Sequence, residues 1–352
     1  MTSRERFIAC VNRACPDRPP ITPLYAPEFV LDKLMKYLGA DSVEAFRTLA
    51  GEDFRYVAPD YIGPELKRFE DGGYESEWGT QYRRVDFPGG FYFDATVRPF
   101  ADVYTLEEAK RLRLPSPDWY DYHSVERKIQ AHPDKALIAG SMGHMDFLNG
   151  VAFMLGVERV LTGVADEDPV YMYLMEKRFE FFMEQVERTL KAGRGRIDVV
   201  KCGEDLGTQL APIINPATFE RLHAPKYAAY FALAHKYGAK TMIHSCGAVR
   251  KFIPILIDAG LDILDVVHVD AAGMNLESLR DEFGGRIVFS GTMSVQTLLN
   301  RGTPGDVARA VEERKRLFPD GGIIIGPSNL MQSDMPPENF VAMCRAIGCG
   351  AF

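Results

Sequence analysis

From residue 136 onward the chain repeats one pattern: a short, almost wholly apolar run, then a longer stretch whose apolar residues recur three and four apart. The short runs fall at 136–140, 197–202, 240–243, 263–268, 286–290 and 322–325. The helical patterns that answer them span 147–162, 169–192, 216–237, 249–259, 276–283, 304–317 and 337–347. Strands this uniformly apolar are buried on both faces, which suits a parallel sheet covered by helices. Two earlier runs, 21–25 and 54–58, bring the strand count to eight, the period of a (β/α)8 TIM barrel. A doubly wound open sheet is the competing arrangement, but no Gly-x-Gly-x-x-Gly turn follows a strand to support a dinucleotide site. The expectation is an α/β protein with one barrel domain over 1–352.

The remaining segments decorate that frame. Residues 4–14 read as an N-terminal helical extension, stopped by Pro16-Asp-Arg-Pro-Pro20. Residues 29–38 read as a helix closed by Gly39. Between 74 and 100 the pattern changes to aromatic and polar alternation around Gly89-Gly90, predicting a β-hairpin insertion. Residues 105–133 read as polar and helical. The formal net charge of −8 leaves no basic footprint for nucleic acid or an anionic membrane. No apolar run approaches the roughly 18 residues of a membrane span, and none follows Met1 as a signal core would, so a cytoplasmic protein is expected. The six cysteines then read as reduced thiols rather than a disulfide framework.

In a barrel the chemistry gathers at the C-terminal ends of the strands. One such end is Thr241-Met-Ile-His244-Ser-Cys246-Gly247. Strand alternation puts His244 and Cys246 on one side, where both could reach one zinc ion. Taken alone, a His-x-Cys pair reads as a core histidine beside a small buried thiol; its place at a strand end before a glycine favours a metal half-site. Glu204 at the preceding strand end is the expected third ligand, with Cys202 as the alternative and Asp205 as an orienting group. Other strand ends carry Tyr25, Glu28, His144, His268, Gln296 and Asn329. His268 could be a ligand, a proton donor or a rim residue; His144 could touch substrate or shape a turn; Glu28 could cap a helix.

Several of these stretches, taken in order, resemble a known family. Gly203-Glu-Asp-Leu-Gly-Thr-Gln209, His244-Ser-Cys-Gly247, the 262–269 strand, Phe289-Ser-Gly-Thr292 with Gln296, and Gly322-Ile-Ile-Ile-Gly-Pro-Ser328 leading to Asp334-Met-Pro-Pro-Glu-Asn339 resemble the uroporphyrinogen decarboxylase-like superfamily. The resemblance implies a (β/α)8 barrel, in agreement with the strand count. True decarboxylases of that family carry an arginine-rich motif at the end of the first strand, where this chain has Leu24-Tyr-Ala-Pro-Glu28, and a late histidine where it has Asn329. An acidic and apolar segment would repel a polycarboxylate. The chain is more similar to the zinc methyltransferases that work with corrinoid proteins, such as methylcobamide:coenzyme M methyltransferases, whose His-x-Cys matches His244 and Cys246 and whose later cysteine would fall near Ser328-Asn329. That resemblance implies Zn2+, a corrinoid (cobalamin) on a partner protein, a small methyl donor or acceptor, and a homodimer. Among the strand-end residues, catalytic roles are expected for Glu204, Asp205 and His268 and substrate contacts for Tyr25, Glu28, His144, Gln296 and Asn329. The alternatives are a metal-free carboxy-lyase acting on a smaller acid and a non-catalytic corrinoid-binding protein.

Overall fold

The computed structural model describes residues 1–350. Seven parallel strands form one sheet in chain order: β1 (Phe54–Tyr56), β2 (Ala136–Met145), β3 (Val199–Gly203), β4 (Lys240–His244), β5 (Ile263–Asp265), β6 (Val288–Ser290) and β7 (Ile323–Ile324). Lys201 pairs with Met242, Met242 with Ile263, and Ser290 with Ile324. The sheet curls. Phe54, Ile138, Val199, Met242, Ile263, Val288 and Ile324 meet in one buried interior cluster. The alternate residues Val200, Cys202, Ile243, Leu264 and Phe289 belong to the larger core shared with the helices. The period of two in each strand therefore separates an inner from an outer layer. The helix Ser3–Val11, held at its start by a Thr2–Glu5 capping box, adds Phe7, Cys10 and Val11 to the interior cluster at the N-terminal edge of the sheet.

The expected first strand is reduced to a single bridge, Ile21 with Ile325. The Thr22 N–H donates to the Ile325 carbonyl at 3.0 Å, and the Ile325 N–H to the Pro20 carbonyl at 2.9 Å. Pro20 and Pro23 have no N–H to continue a ladder. Towards β1 the contact is made by a side chain: the Ile21 N–H donates to Asp53 at 2.9 Å. Asp53 is fully buried and also accepts from Arg6 at 2.7 Å and from Arg18 at 2.8 and 3.2 Å. The architecture is thus a mixed α/β fold with a curled seven-stranded parallel sheet.

The insertion is a three-stranded antiparallel sheet, Tyr74–Glu75, Gln81–Phe87 and Gly90–Val97, turning at Pro88-Gly89. Region 105–133 is less helical than its composition suggests: it holds helices Leu106–Ala109 and His123–Gln130, a short 3-10 turn and a strand, Tyr120–Asp121, paired with Asp60–Tyr61. The 147–162 pattern splits at Gly156 into Asn149–Leu155 and Val157–Asp166, and 216–237 splits at His223. β5 stops at Asp265, so His268 lies beyond it. Among the described residues no helix is long and apolar enough to cross a membrane.

Candidate metal centre

β4 alternates Met242 inward, Ile243 outward and His244 inward, which brings the imidazole to the C-terminal edge of the sheet's inner face. Its Nε2 lies 3.8 Å from Asp205 Oδ1, and the Cys246 Sγ lies 3.3 Å from the same oxygen. One donor atom from each of Asp205, His244 and Cys246 falls within 4.8 Å of the others. Ligands on one tetrahedral zinc, with bonds of 2.0–2.3 Å, stand roughly 3.3–3.8 Å apart. The donor set and its spacing therefore fit a zinc ion with a fourth position to spare. Asp205 is held by the Asn149 side-chain amide at 2.9 Å and by the Cys246 N–H at 3.3 Å.

Beneath the imidazole, its Nδ1 faces Asp265 at 3.6 Å, beyond a direct hydrogen bond. A carboxylate behind a histidine orients the ring and directs its other nitrogen outward. Asp265 itself receives the Lys201 ammonium and the Ser290 hydroxyl, the latter at 2.7 Å. Burial would raise its carboxyl, but Lys201 and His244 hold it well below the usual carboxylate range. Lys201 is fully buried and also donates to the Tyr25 hydroxyl at 2.9 Å. Burial would lower its ammonium, and the Asp265 charge with Tyr25 holds it above the ordinary lysine value. Burial and the Asp205 charge push the Cys246 thiol up to about 12, so without a cation it stays protonated and donates to Asp205.

The loops that carry these ligands touch backbone to backbone. Gly247 has φ of 84°, and a Cβ there would lie 2.3 Å from the Gly207 carbonyl oxygen. The Ala248 N–H donates to the Thr208 carbonyl at 2.8 Å across the same seam.

A model of the family described as Uroporphyrinogen decarboxylase (URO-D) matches residues 89–348. The chain belongs to the uroporphyrinogen decarboxylase family. Among solved structures, it is similar to a methyltransferase from Methanosarcina mazei with 16% identity and a TM-score of 0.64, over 99% of this chain and 98% of that one. Two others overlap less. A 3-keto-D-glucoside 4-epimerase from E. coli is 11% identical over 65% of this chain and 94% of that one, with a TM-score of 0.37. A D-psicose 3-epimerase from Clostridium cellulolyticum H10 is 10% identical over 58% and 70%, with a TM-score of 0.35. No curated protein matches in sequence.

In this uroporphyrinogen decarboxylase-family fold the acidic group beside His244 and Cys246 is Asp205, where Glu204 was expected. The Glu204 oxygens are committed elsewhere: Leu148 N–H at 2.9 Å, Phe147 N–H at 3.1 Å and the Tyr227 hydroxyl at 2.8 Å. These bonds turn Glu204 away from the pair and leave Asp205 to join it. Cys202, the alternative, lies in the outer layer with its Sγ towards the Met242 carbonyl at 3.7 Å, and burial raises its thiol well above the ordinary value. Asn329 acts on the cluster, its side chain favouring the Cys246 thiolate against burial and the Asp205 charge. His268 is buried, with Nε2 3.5 Å from Gln209 and Nδ1 unpartnered. His144 stacks on Phe182 at 4.5 Å, in a cavity whose lining does not include the metal donors. Gln296 is exposed, and Glu28 is exposed in the first turn of helix Glu28–Leu38. Lys201 and Asp265 were missed. Their signal was a charge at the inward position of an otherwise apolar strand, 199–203 and 263–265.

Proposed function

We propose that the protein is a zinc-dependent methyltransferase that moves a methyl group between a small molecule and the cobalt of a corrinoid carried by a partner protein. The convergence of Asp205, His244 and Cys246, with Asp265 behind the imidazole, carries this reading. The similar methyltransferase fold from Methanosarcina mazei supports it. Asp205, His244 and Cys246 would hold the ion. Bound there, zinc supplies Lewis acidity, either lowering the pKa of an acceptor thiol or polarising the leaving atom of a methyl donor.

The chain's own residues do the rest. Asp265 fixes which imidazole nitrogen faces the cluster, and Lys201 keeps Asp265 ionised. Glu204 is a positioning residue that anchors the backbone of Phe147 and Leu148. Asn149, on the same segment, holds Asp205. Asn329 presents an amide at the position of the family's later cysteine, and His268 is the proton donor at the rim. Tyr25, Gln296 and Glu28 contribute to the substrate side of the mouth, and His144 faces the neighbouring cavity. The frame is one (β/α)8-type barrel domain in which 21–25 takes the place of the eighth strand through its single bridge to Ile325, working as a homodimer in the cytoplasm.

Zinc content of protein purified without chelator tests the reading, together with the visible spectrum of a corrinoid protein mixed with candidate donors and thiols. About one zinc per chain, lost in His244→Ala and Cys246→Ser together with the cobalt spectral change, is expected. Metal-free wild-type protein whose variants keep activity would overturn it and favour the carboxy-lyase alternative.

A further inference from the structure

Between the three-stranded insertion and the helix Pro169–Gly193 lies a cavity of about 620 Å³, large enough for a small organic ligand. One wall is a single helix face bearing Arg178, Phe182 and Gln185, at i, i+4 and i+7. Arg178 is buried, and its guanidinium is satisfied only by main-chain carbonyls: Gly143 at 2.8 Å, Asp146 at 3.1 Å and Met145 at 3.4 Å. Among the described residues its Nη1 makes no hydrogen bond, and no carboxylate pairs with it. The rings of Trp78 and Phe182 lie 4.9 and 5.1 Å from it. Gly150 makes room for it, since a Cβ there would sit 2.2 Å from Nη2.

Buried charges are ordinarily paired and buried polar atoms ordinarily bonded. Here the cation makes no direct ion pair among the described residues, and three polar atoms of the same cavity have no partner: Gln185 Oε1, Tyr56 OH and His144 Nδ1. Gln185 is only 5% exposed. Two carboxylates share the lining, Glu77 and Asp146. Neither forms an ion pair with Arg178, and Asp146 Oδ1 accepts instead from the Asn149 N–H at 2.9 Å. The lining also includes the aromatic residues Trp78, Tyr82 and Phe153. Seven helical residues rise roughly 10 Å, a spacing on the scale of a one-ring acid with a polar group opposite its carboxylate.

We infer that this cavity binds a hydroxyaryl carboxylate, with its carboxylate on Arg178, its ring against the aromatic lining of Trp78, Tyr82 and Phe153, and its hydroxyl donated to Gln185. The metal donors do not line the cavity, so binding requires no metal.

Trp78 in the wall reports occupancy by fluorescence. Titration of wild-type protein with 4-hydroxybenzoate should give saturable quenching, and the uncharged 4-hydroxybenzamide should bind at least tenfold more weakly. Arg178→Met should lose tenfold or more for the acid. Gln185→Leu should bind benzoate like the wild type but lose the preference for 4-hydroxybenzoate. The amide control uses the unaltered chain and so decides the carboxylate contact even where Arg178→Met does not fold. The double variant His244→Ala/Cys246→Ser should bind 4-hydroxybenzoate unchanged, which separates this site from the metal reading. Absence of saturable quenching, equal binding of acid and amide, or an unchanged hydroxyl preference in Gln185→Leu would overturn the assignment.

Discussion

At the N-terminal edge of the sheet, the buried Asp53 carboxylate receives four donors, one from Arg6, two from Arg18 and the Ile21 N–H, and both its oxygens are used. At the C-terminal edge, His244 is also nearly buried, yet its Nδ1 stands 3.6 Å from Asp265 and its Nε2 stands 3.8 Å from Asp205, and neither is a hydrogen bond. His268 Nδ1 nearby is unpartnered as well. Equal burial thus serves two purposes. A saturated cluster closes the sheet where the chain enters it, while an unsaturated one keeps donor atoms available for something from outside. The degree of saturation, more than the amount of buried charge, tells the structural edge from the chemical one.

The sharpest way to break this contrast is to remove the saturated centre. Asp53→Ala leaves the Arg18 and Arg6 guanidinium groups buried and the Ile21 N–H unmet, and should lower stability in urea by about 3–5 kcal/mol. A loss under about 1 kcal/mol would mean that Asp53 does not hold that edge. At the other edge, His244→Ala and Cys246→Ser should weaken zinc binding by about 100-fold or more, roughly 2.7 kcal/mol, as read by competition with a chromophoric chelator. The stability of the metal-free variants should stay within about 1 kcal/mol of the wild type, because the donors they remove have few partners to lose.

Glu52 is the exception at the structural edge and sharpens the comparison. It is buried, Oε2 has no hydrogen-bond partner, and its nearest cations are Arg47 at 3.6 Å and Arg55 at 3.9 Å. Burial pushes its carboxyl up to about 7 against these cations. Because the folded chain holds this proton more tightly than the unfolded one, its contribution to stability falls as pH rises from about 4.5 to about 7 and is level above that. Glu52→Gln should flatten that decline, which is on the order of 3 kcal/mol, in unfolding curves taken across this window. The smallest effect belongs to Cys246. Its thiol, pushed up to about 12, must release a proton to bind a cation. Zinc affinity should therefore rise about tenfold per pH unit between 7 and 8 on account of this thiol, and a pH-independent affinity would remove Cys246 from the ligand set.

Much of this was legible in the chain because the strands alternate. The inward placement of His244 follows from the period of two, with Met242 beneath it in the same column. The seven sheet strands fall where apolar runs precede helical patterns. The opening strand was misjudged because its apolar content says nothing of the donors that Pro20 and Pro23 lack. The choice between Glu204 and Asp205 was not legible either. Both lie past the end of β3, where alternation no longer governs and the segment 147–149 decides which carboxylate turns inward. The cavity over Arg178 depends on how the insertion packs against a helix about a hundred residues later, which no local pattern encodes.

The seam between Gly207 and Gly247 bears on how such a centre can change over time. Because two ligand-bearing loops meet at this seam through main chain, part of their spacing is set without any side chain. Lining residues can then be exchanged, and the molecule they admit altered, without moving the donors. The two glycines, which offer no functional group, become as irreplaceable as the ligands. In a scan of all substitutions they should stand out as silent positions of zero tolerance beside a wall that accepts many.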